Sequence, residues 1–250
     1  MVIKRVGLTL LALLAGAALS QRPDDVVDGF IGRIHRVGRV TMPYRLFVPP
    51  GYDAKQKYPM VIWLHGAGGA GTDNRLQIAG DQVSGTHAWT RPAMQAQHPA
   101  FVLVPQSPGA WGTMAGQLGP ETRLVVEILE SLKREFSIDP GRVYLTGQSN
   151  GGYGVWSLIT QRPDLFAAGV PLCGGGDPRR APVIVRLPIW AFHGDKDDVI
   201  PVTESREMIA AIRKAGGQPR YTEYKGLDHN IWTRTFKEPE LATWLFAQHK

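Results

Sequence analysis

Ser149 lies in Gly147-Gln148-Ser149-Asn150-Gly151, with another glycine at Gly152. The apolar, β-rich stretch Val143 to Thr146 leads into it, and a helix-compatible segment follows at once. Strand, Gly-x-Ser-x-Gly and helix in that order are what a nucleophile elbow requires. The turn is so tight that the serine is held in a strained backbone conformation with its hydroxyl pushed outward. Glycines at 147 and 151 let the neighbouring backbones pass that close. The competing reading is a serine in an ordinary glycine-rich turn. The preceding strand and the doubled glycine favour the nucleophile.

A serine hydroxyl is a weak nucleophile until something takes its proton, so a base and an acid must follow. In folds built on such an elbow they come in the order Ser, Asp or Glu, His. Only His193, His229 and His249 lie beyond Ser149. His249 is the penultimate residue, and His193 precedes the candidate acids Asp195, Asp197 and Asp198. His229, on a loop after the last expected strand, is therefore the expected base. The three aspartates sit where a strand gives way to a helix, at the carboxyl edge of a parallel sheet, where the nucleophile also emerges. At least one of them is expected to make a turn or cap a helix instead. The backbone N–H of Asn150, directly after the serine, is the first expected oxyanion donor. The second should come from the loop after Leu64.

Those side chains need a scaffold, and strand and helix signals alternate along the chain. Ile31 to Val40 and Tyr44 to Val48 read as two opening strands. Met60 to Leu64, Phe101 to Val104, Ala167 to Leu172 and Ile189 to Phe192 are short apolar runs suited to buried parallel strands. Leu124, Val125, Ile128, Leu129, Leu132 and Phe136 fall on one face of a helix over Glu121 to Phe136. Further helices are expected over Val202 to Ala215 and Pro239 to Gln248, with a strand over Arg220 to Tyr224. Alternation of this kind predicts an α/β domain with a mainly parallel central sheet and helices on both faces. No linker-like stretch divides residues 21–250, which read as one domain.

The chain has 250 residues with 28 Lys and Arg against 22 Asp and Glu. That excess is modest, and no basic stripe with interleaved aromatics suggests a nucleic-acid partner. Lys4 and Arg5 open residues 1–20, Val6 to Leu19 is uncharged and apolar, and Ala18-Leu19-Ser20 presents small residues before Gln21. This is the layout of a cleaved export signal, and its apolar run is shorter than the ~20 residues that span a bilayer comfortably. A periplasmic or secreted protein without stable membrane association is expected. Its single cysteine, Cys173, supports neither a lipid anchor at the cleavage point nor an internal disulfide.

Four segments then recur together: Trp63-Leu64-His65-Gly66-Ala67-Gly68-Gly69-Ala70-Gly71-Thr72-Asp73-Asn74, Gly147 to Gly152, His193-Gly194-x-x-Asp197-x-x-Ile200-Pro201, and Gly226-x-x-His229. In order and spacing the chain resembles the phospholipase/carboxylesterase branch of the α/β-hydrolases. That branch includes esterase-like "predicted peptidases" and polyhydroxyalkanoate depolymerase and feruloyl esterase relatives. The resemblance covers nearly everything beyond residue 20. It implies an α/β-hydrolase fold, and the short stretch from Cys173 to Leu187 leaves no room in it for a large lid domain. It also implies Asp197 as the acid and the N–H of Ala67 as the second oxyanion donor. Where the family often has Met or Gln after the serine, this chain has Asn150. A backbone group acts there, so the departure bears on specificity rather than catalysis.

Other chemistries fit less well. Gly66 to Gly71 satisfies Gly-x-Gly-x-x-Gly after a strand, but no acidic residue lies about 20 positions on to hold a ribose, and no Gly-Lys-Ser/Thr follows for a phosphate loop. No cofactor and no metal are expected. Trp63, Trp156 and Trp190 read as core, whereas Trp111 and Trp232 fall on loops near the expected site and are candidates for the pocket wall. The short Cys173 to Leu187 stretch begins as a loop rather than a helical cap, which predicts an open site. The expected activity is hydrolysis of carboxylic esters, small or polymeric, by an exported serine hydrolase. A serine peptidase of the prolyl-oligopeptidase type and a non-catalytic binding protein on the same fold are the alternatives.

Overall fold

The computed structural model describes residues 26–112 and 120–250. The expected export signal lies outside the described residues. Nine strands occur in chain order: β1 (Val26–Val27), β2 (Phe30–Val37), β3 (Val40–Phe47), β4 (Tyr58–Leu64), β5 (Phe101–Pro105), β6 (Ile138–Gln148), β7 (Ala168–Leu172), β8 (Trp190–Gly194) and β9 (Arg220–Tyr224). They join into one sheet in the order β1-β2-β3-β5-β4-β6-β7-β8-β9. The first three are antiparallel to their neighbours, and the remaining pairings are parallel.

Alternation within the central strands decides the layering. Met60, Ile62, Leu64, Phe101, Leu103, Val143 and Leu145 point into one core, and Val61, Trp63, Val102, Val104 and Tyr144 into another. Successive strand residues face opposite sides, so a run that is apolar at every position must be covered twice. Helices α3 (Pro120–Glu135), α4 (Asn150–Gln161) and α5 (Thr203–Lys214) cover the first face. On the other lie α1 (Val83–Thr90), α2 (Pro92–Gln97), α6 (Trp232–Thr235) and α7 (Leu241–Phe246). The α/β-hydrolase layout expected from the sequence is the fold observed.

Two local expectations are corrected. The opening strands do not break near Pro43. They meet in a two-residue turn at Gly38 and Arg39, where Val37 pairs with Val40 and Gly38 supplies a φ of 59°. Pro43 is tolerated inside β3 because it sits beyond the last β5 pairing, where its carbonyl still accepts from Gln106 N–H. The sequence between Gly66 and Gly119 is rich in turn-forming residues and reads as loop around the strand at Phe101 to Val104, yet it holds α1 and α2. Val83-Ser84-Gly85-Thr86 carries no helical period of apolar residues, so tertiary packing makes the helix. Gly85 lies so close to the Trp63 ring that a Cβ there would sit 2.1 Å from it. Among the described residues, no helix is long and apolar enough to cross a membrane.

Candidate active site

The strand β6 ends at Gln148, and Ser149 takes φ 55°, ψ −119° before α4 begins at Asn150. This conformation is unfavourable for a residue with a Cβ. It is held by the Ser149 N–H bond to Leu172 O (2.9 Å) and by tight packing of the turn on β4. A Cβ on Gly151 would lie 2.0 Å from Leu64 O, and one on Gly147 2.6 Å from Gly151 O. Both glycines are therefore steric requirements of the turn.

Two loops at the carboxyl ends of β8 and β9 meet the serine. His229 Nε2 lies 2.9 Å from Ser149 Oγ, and its Nδ1 lies 2.7 Å from Asp197 Oδ2. The other carboxylate oxygen, Oδ1, accepts the Val199 and Ile200 N–H groups at 3.0 and 2.8 Å. Burial pushes the Asp197 carboxyl up, but the hydrogen bonds from His229 and these amides outweigh it and hold it below the usual carboxylate range. With Asp197 as the acceptor at Nδ1, His229 carries its hydrogen there and leaves Nε2 free to accept the Ser149 hydroxyl proton. Asp195 ties two loops together instead of making a turn: its Oδ1 accepts Gly226 N–H at 2.6 Å, just before the histidine loop, and the turn bonds are made by Asp197 itself. Asp198 is exposed. Gly194 lets the two loops touch, since a Cβ there would lie 2.2 Å from Asp228 O.

The loop after β4 approaches from the opposite side. A Cβ on Gly66 would come within 3.4 Å of the Ser149 Cβ. Ala67 opens a 3-10 turn over Ala67–Gly69 and Asn150 opens α4, so neither N–H has an acceptor within its own element. Such groups at the start of a turn suit a developing negative charge. Ala67 and Gly68 are exposed, and Ser149 and His229 are partly so.

The chain is similar to several known proteins. Residues 121–184 match the prolyl oligopeptidase family. A protein described as "probable feruloyl esterase C" from Aspergillus terreus is 29% identical over 174 residues, 66% of this chain and 58% of its own. A bifunctional acetylxylan esterase/xylanase of Neocallimastix patriciarum is 32% identical over 191 residues, covering 74% of this chain and 26% of its own. The crystal structure of a thermostable esterase superposes with a TM-score of 0.85 at 40% identity, over 89% of this chain and 64% of that one. The chain is an esterase-like α/β-hydrolase. It spans about a quarter to about two thirds of the length of these three relatives.

Several groups that hold this α/β-hydrolase site together were not singled out by the sequence. His65 is fully buried; its Nδ1–H bonds Gly66 O at 2.7 Å and its Nε2 accepts Ser107 N–H at 3.0 Å. Burial drives its titration down to about 4, so the ring is neutral and tacks the Gly66 loop to the loop after β5. Gln82 accepts Gly66 N–H at 2.8 Å and donates to Asp81, whose other oxygen receives Gln148 Nε2. The Ser107 and Gln148 contacts and the folded path of 66–82 bring these residues together, so spacing carried no signal for them.

Trp111 and Trp232 require correction. Both are buried, so neither presents a face to an open pocket. Trp111 donates Nε1–H to His65 O at 2.9 Å and lies 4.7 Å from the His65 ring, while its own N–H reaches Asn150 Oδ1. Trp232 stands edge-on to His229 at 5.2 Å and backs the imidazole. They support the site from behind. Cys173, His193 and Asp197 bring potential metal ligands within 4.8 Å of one another. Their lone pairs and hydrogens are already committed: Asp197 accepts from His229 and two amides, His193 Nε2 faces Ile200 O, and burial pushes the Cys173 thiol well up. This donor set does not suit a cation.

Proposed function

We propose that the protein is an exported serine hydrolase that cleaves carboxylic esters through an acyl-enzyme intermediate. The observation that carries the reading is the unbroken Ser149–His229–Asp197 hydrogen-bond chain beside the Ala67 and Asn150 N–H groups, neither of which has an acceptor within its own element. Ser149 Oγ attacks the ester carbonyl carbon as its proton passes to His229 Nε2. Asp197 stabilises the resulting imidazolium and fixes its orientation. The N–H groups of Ala67 and Asn150 receive the tetrahedral oxyanion; a donor of this kind is worth roughly 3 to 4 kcal/mol of barrier. Collapse expels the alcohol, which takes the proton from Nε2, and water activated by the same histidine then frees the acid.

The partly exposed serine suits esters larger than a simple short acyl chain, including a polymer end or a decorated polysaccharide. Among the described residues, the segment after β7 does not cap the site: it forms a 3-10 helix over Pro178–Ile184 whose Ala181 and Ile184 are buried in the core on the α5 side. Export rests on the charged, apolar and small residues of 1–20 and places the mature enzyme in the periplasm or outside the cell. Peptide bonds are the second reading, favoured by the match to the prolyl oligopeptidase family.

A fluorophosphonate probe should label the protein and leave a folded Ser149→Ala variant unlabelled. The labelled enzyme would then be assayed on short and long acyl esters, feruloyl and acetyl-sugar esters, polyester oligomers and dipeptide amides. Equal labelling of both proteins would sink the serine mechanism and favour a binding role, and turnover of the amides alone would favour the peptidase.

A further inference from the structure

We propose that His193 is a positioning residue of this relay: it grips the turn that carries Asp197 and donates toward the same carboxylate oxygen that receives His229. The inference rests on the Ser149–His229–Asp197 reading above. His193 ends β8, is fully buried, and has no part in the proton path described so far. Its Nε2 lies 3.0 Å from Ile200 O and 3.1 Å from Asp197 Oδ2. Both neighbours are acceptors, so this nitrogen must carry a hydrogen. Ile200 is thus held at both ends, its N–H by Asp197 Oδ1 and its carbonyl by His193. The Asp197 to Ile200 turn cannot shift without breaking both bonds.

The far side of the ring settles how that hydrogen is kept in place. Nδ1 lies 2.8 Å from Ser205 Oγ on α5, and that hydroxyl is also 2.9 Å from Gly174 O. A hydroxyl has one hydrogen to give. If it goes to Nδ1, His193 is neutral with its hydrogen on Nε2; if it goes to Gly174 O, Nδ1 must be protonated as well. Nε2 is a donor in either case. Burial lowers the ring's tendency to charge, which selects the neutral form despite the pull of Ile200 O and Asp197. The titratable groups around the ring are Asp197 on its own loop, His229 from the loop after β9, and Cys173 at the end of β7. Across on β9 stands Glu223, itself tied to Arg206 of α5 and to Tyr221. A helix on one face of the sheet thereby sets the hydrogen-bonding of an acid on the carboxyl edge.

A donor at Oδ2 draws carboxylate charge away from His229. Removing it leaves more charge to stabilise the His229 cation, so the base stays protonated to higher pH. The test measures kcat and KM against pH on an ester that the wild-type protein turns over and Ser149→Ala does not. His193→Met, which fills the space without a donor, should lower kcat by roughly tenfold with KM within about twofold, as expected for loss of one charge-assisted bond behind the base. The acid limb of its kcat/KM profile should move up by about half a pH unit. His193→Gln, whose Nε2 can reach the same acceptors, should recover both. Ser205→Ala keeps the imidazole and should move the limb the same way by less, which decides the matter if His193→Met does not fold. Wild-type profiles in His193→Met or Ser205→Ala would overturn the role. So would a His193→Gln as impaired as His193→Met at an unchanged melting temperature, since restoring the donor would then restore nothing. Turnover that survives in Ser149→Ala would overturn the relay itself, and the inference with it.

Discussion

The acid–base arm and the oxyanion arm of the site are built in different ways. On the β8 and β9 side the acid is oriented by bonds within its own turn, and longer bonds join that turn to the next loop. Asp197 is held by the N–H groups of Val199 and Ile200, and Asp195 reaches Gly226 across two adjacent loops. On the β4 side the Gly66 loop is held by side chains from far along the chain: Gln82, Ser107 by way of His65, and Trp111. One arm is a pair of turns that nearly define themselves. The other is a buried polar network whose members bond one another across the folded chain, and removing one member leaves its partners unpaired. The acid arm should therefore answer to single substitutions with loss of rate, and the oxyanion arm with loss of stability.

The largest test of that contrast is Asp197→Asn. Turnover should fall by roughly four orders of magnitude, the size seen when other Ser-His-Asp enzymes lose this carboxylate, with little change in melting temperature. Asp195→Asn and Asp198→Asn should stay within about tenfold of wild type, since neither touches His229. A severe Asp195→Asn would mean that the loops, not the hydrogen-bond chain, govern the acid arm.

Next in size is the pH dependence carried by His65. An unfolded histidine titrates near ~6.5, whereas buried His65 titrates at about 4. The unfolded chain therefore binds the extra proton across that interval. The contribution of neutral His65 is fully present above the unfolded value and is lost as pH falls toward the folded one. By pH 4 the folded state should have lost about 3 kcal/mol from this group alone. Urea unfolding across pH 7 to 4 should show a flatter curve for His65→Phe than for wild type. Equal slopes would show that the ring does not hold the loop as its contacts indicate.

The smallest effect sharpens the comparison at one bond. Trp111→Phe keeps most of the packing against His65 and Gly154 but removes the Nε1 donor to His65 O. A stability loss of about 1 to 2 kcal/mol is expected, with kcat within about threefold of wild type. A large fall in substrate affinity at unchanged stability would instead return Trp111 to the pocket wall.

Much of the acid arm was legible because local rules act there. Gly147 and Gly151 flank a serine that needs close backbone approach, and chain order left His229 as the base; that Asp197 pairs with the amides two and three residues on was visible only in the structure. The apolar runs of β4 to β8 announced strands covered on both faces, and the Leu124 to Leu132 periodicity announced α3. What was illegible lay where long-range packing overrides local preference. Val83 to Thr90 is helical without a helical period because Gly85 fits against Trp63, and Pro43 is admitted into β3 by its place beyond the end of β5. Trp111 and Trp232, loop residues in the sequence, turned inward to brace His65 and His229.

By itself the sequence determined the alternation of strands and helices and the strained turn at Ser149, because those follow from periodicity and backbone sterics, whereas Asp197 stood out from Asp195 and Asp198 only through the family resemblance. Only the tertiary structure decided which side chains stand behind the reacting groups. His65, Gln82, Ser107, Trp111, His193 and Ser205 meet their partners between separate loops and elements, where the gain from pairing buried donors with acceptors, rather than spacing along the chain, selects the pairs.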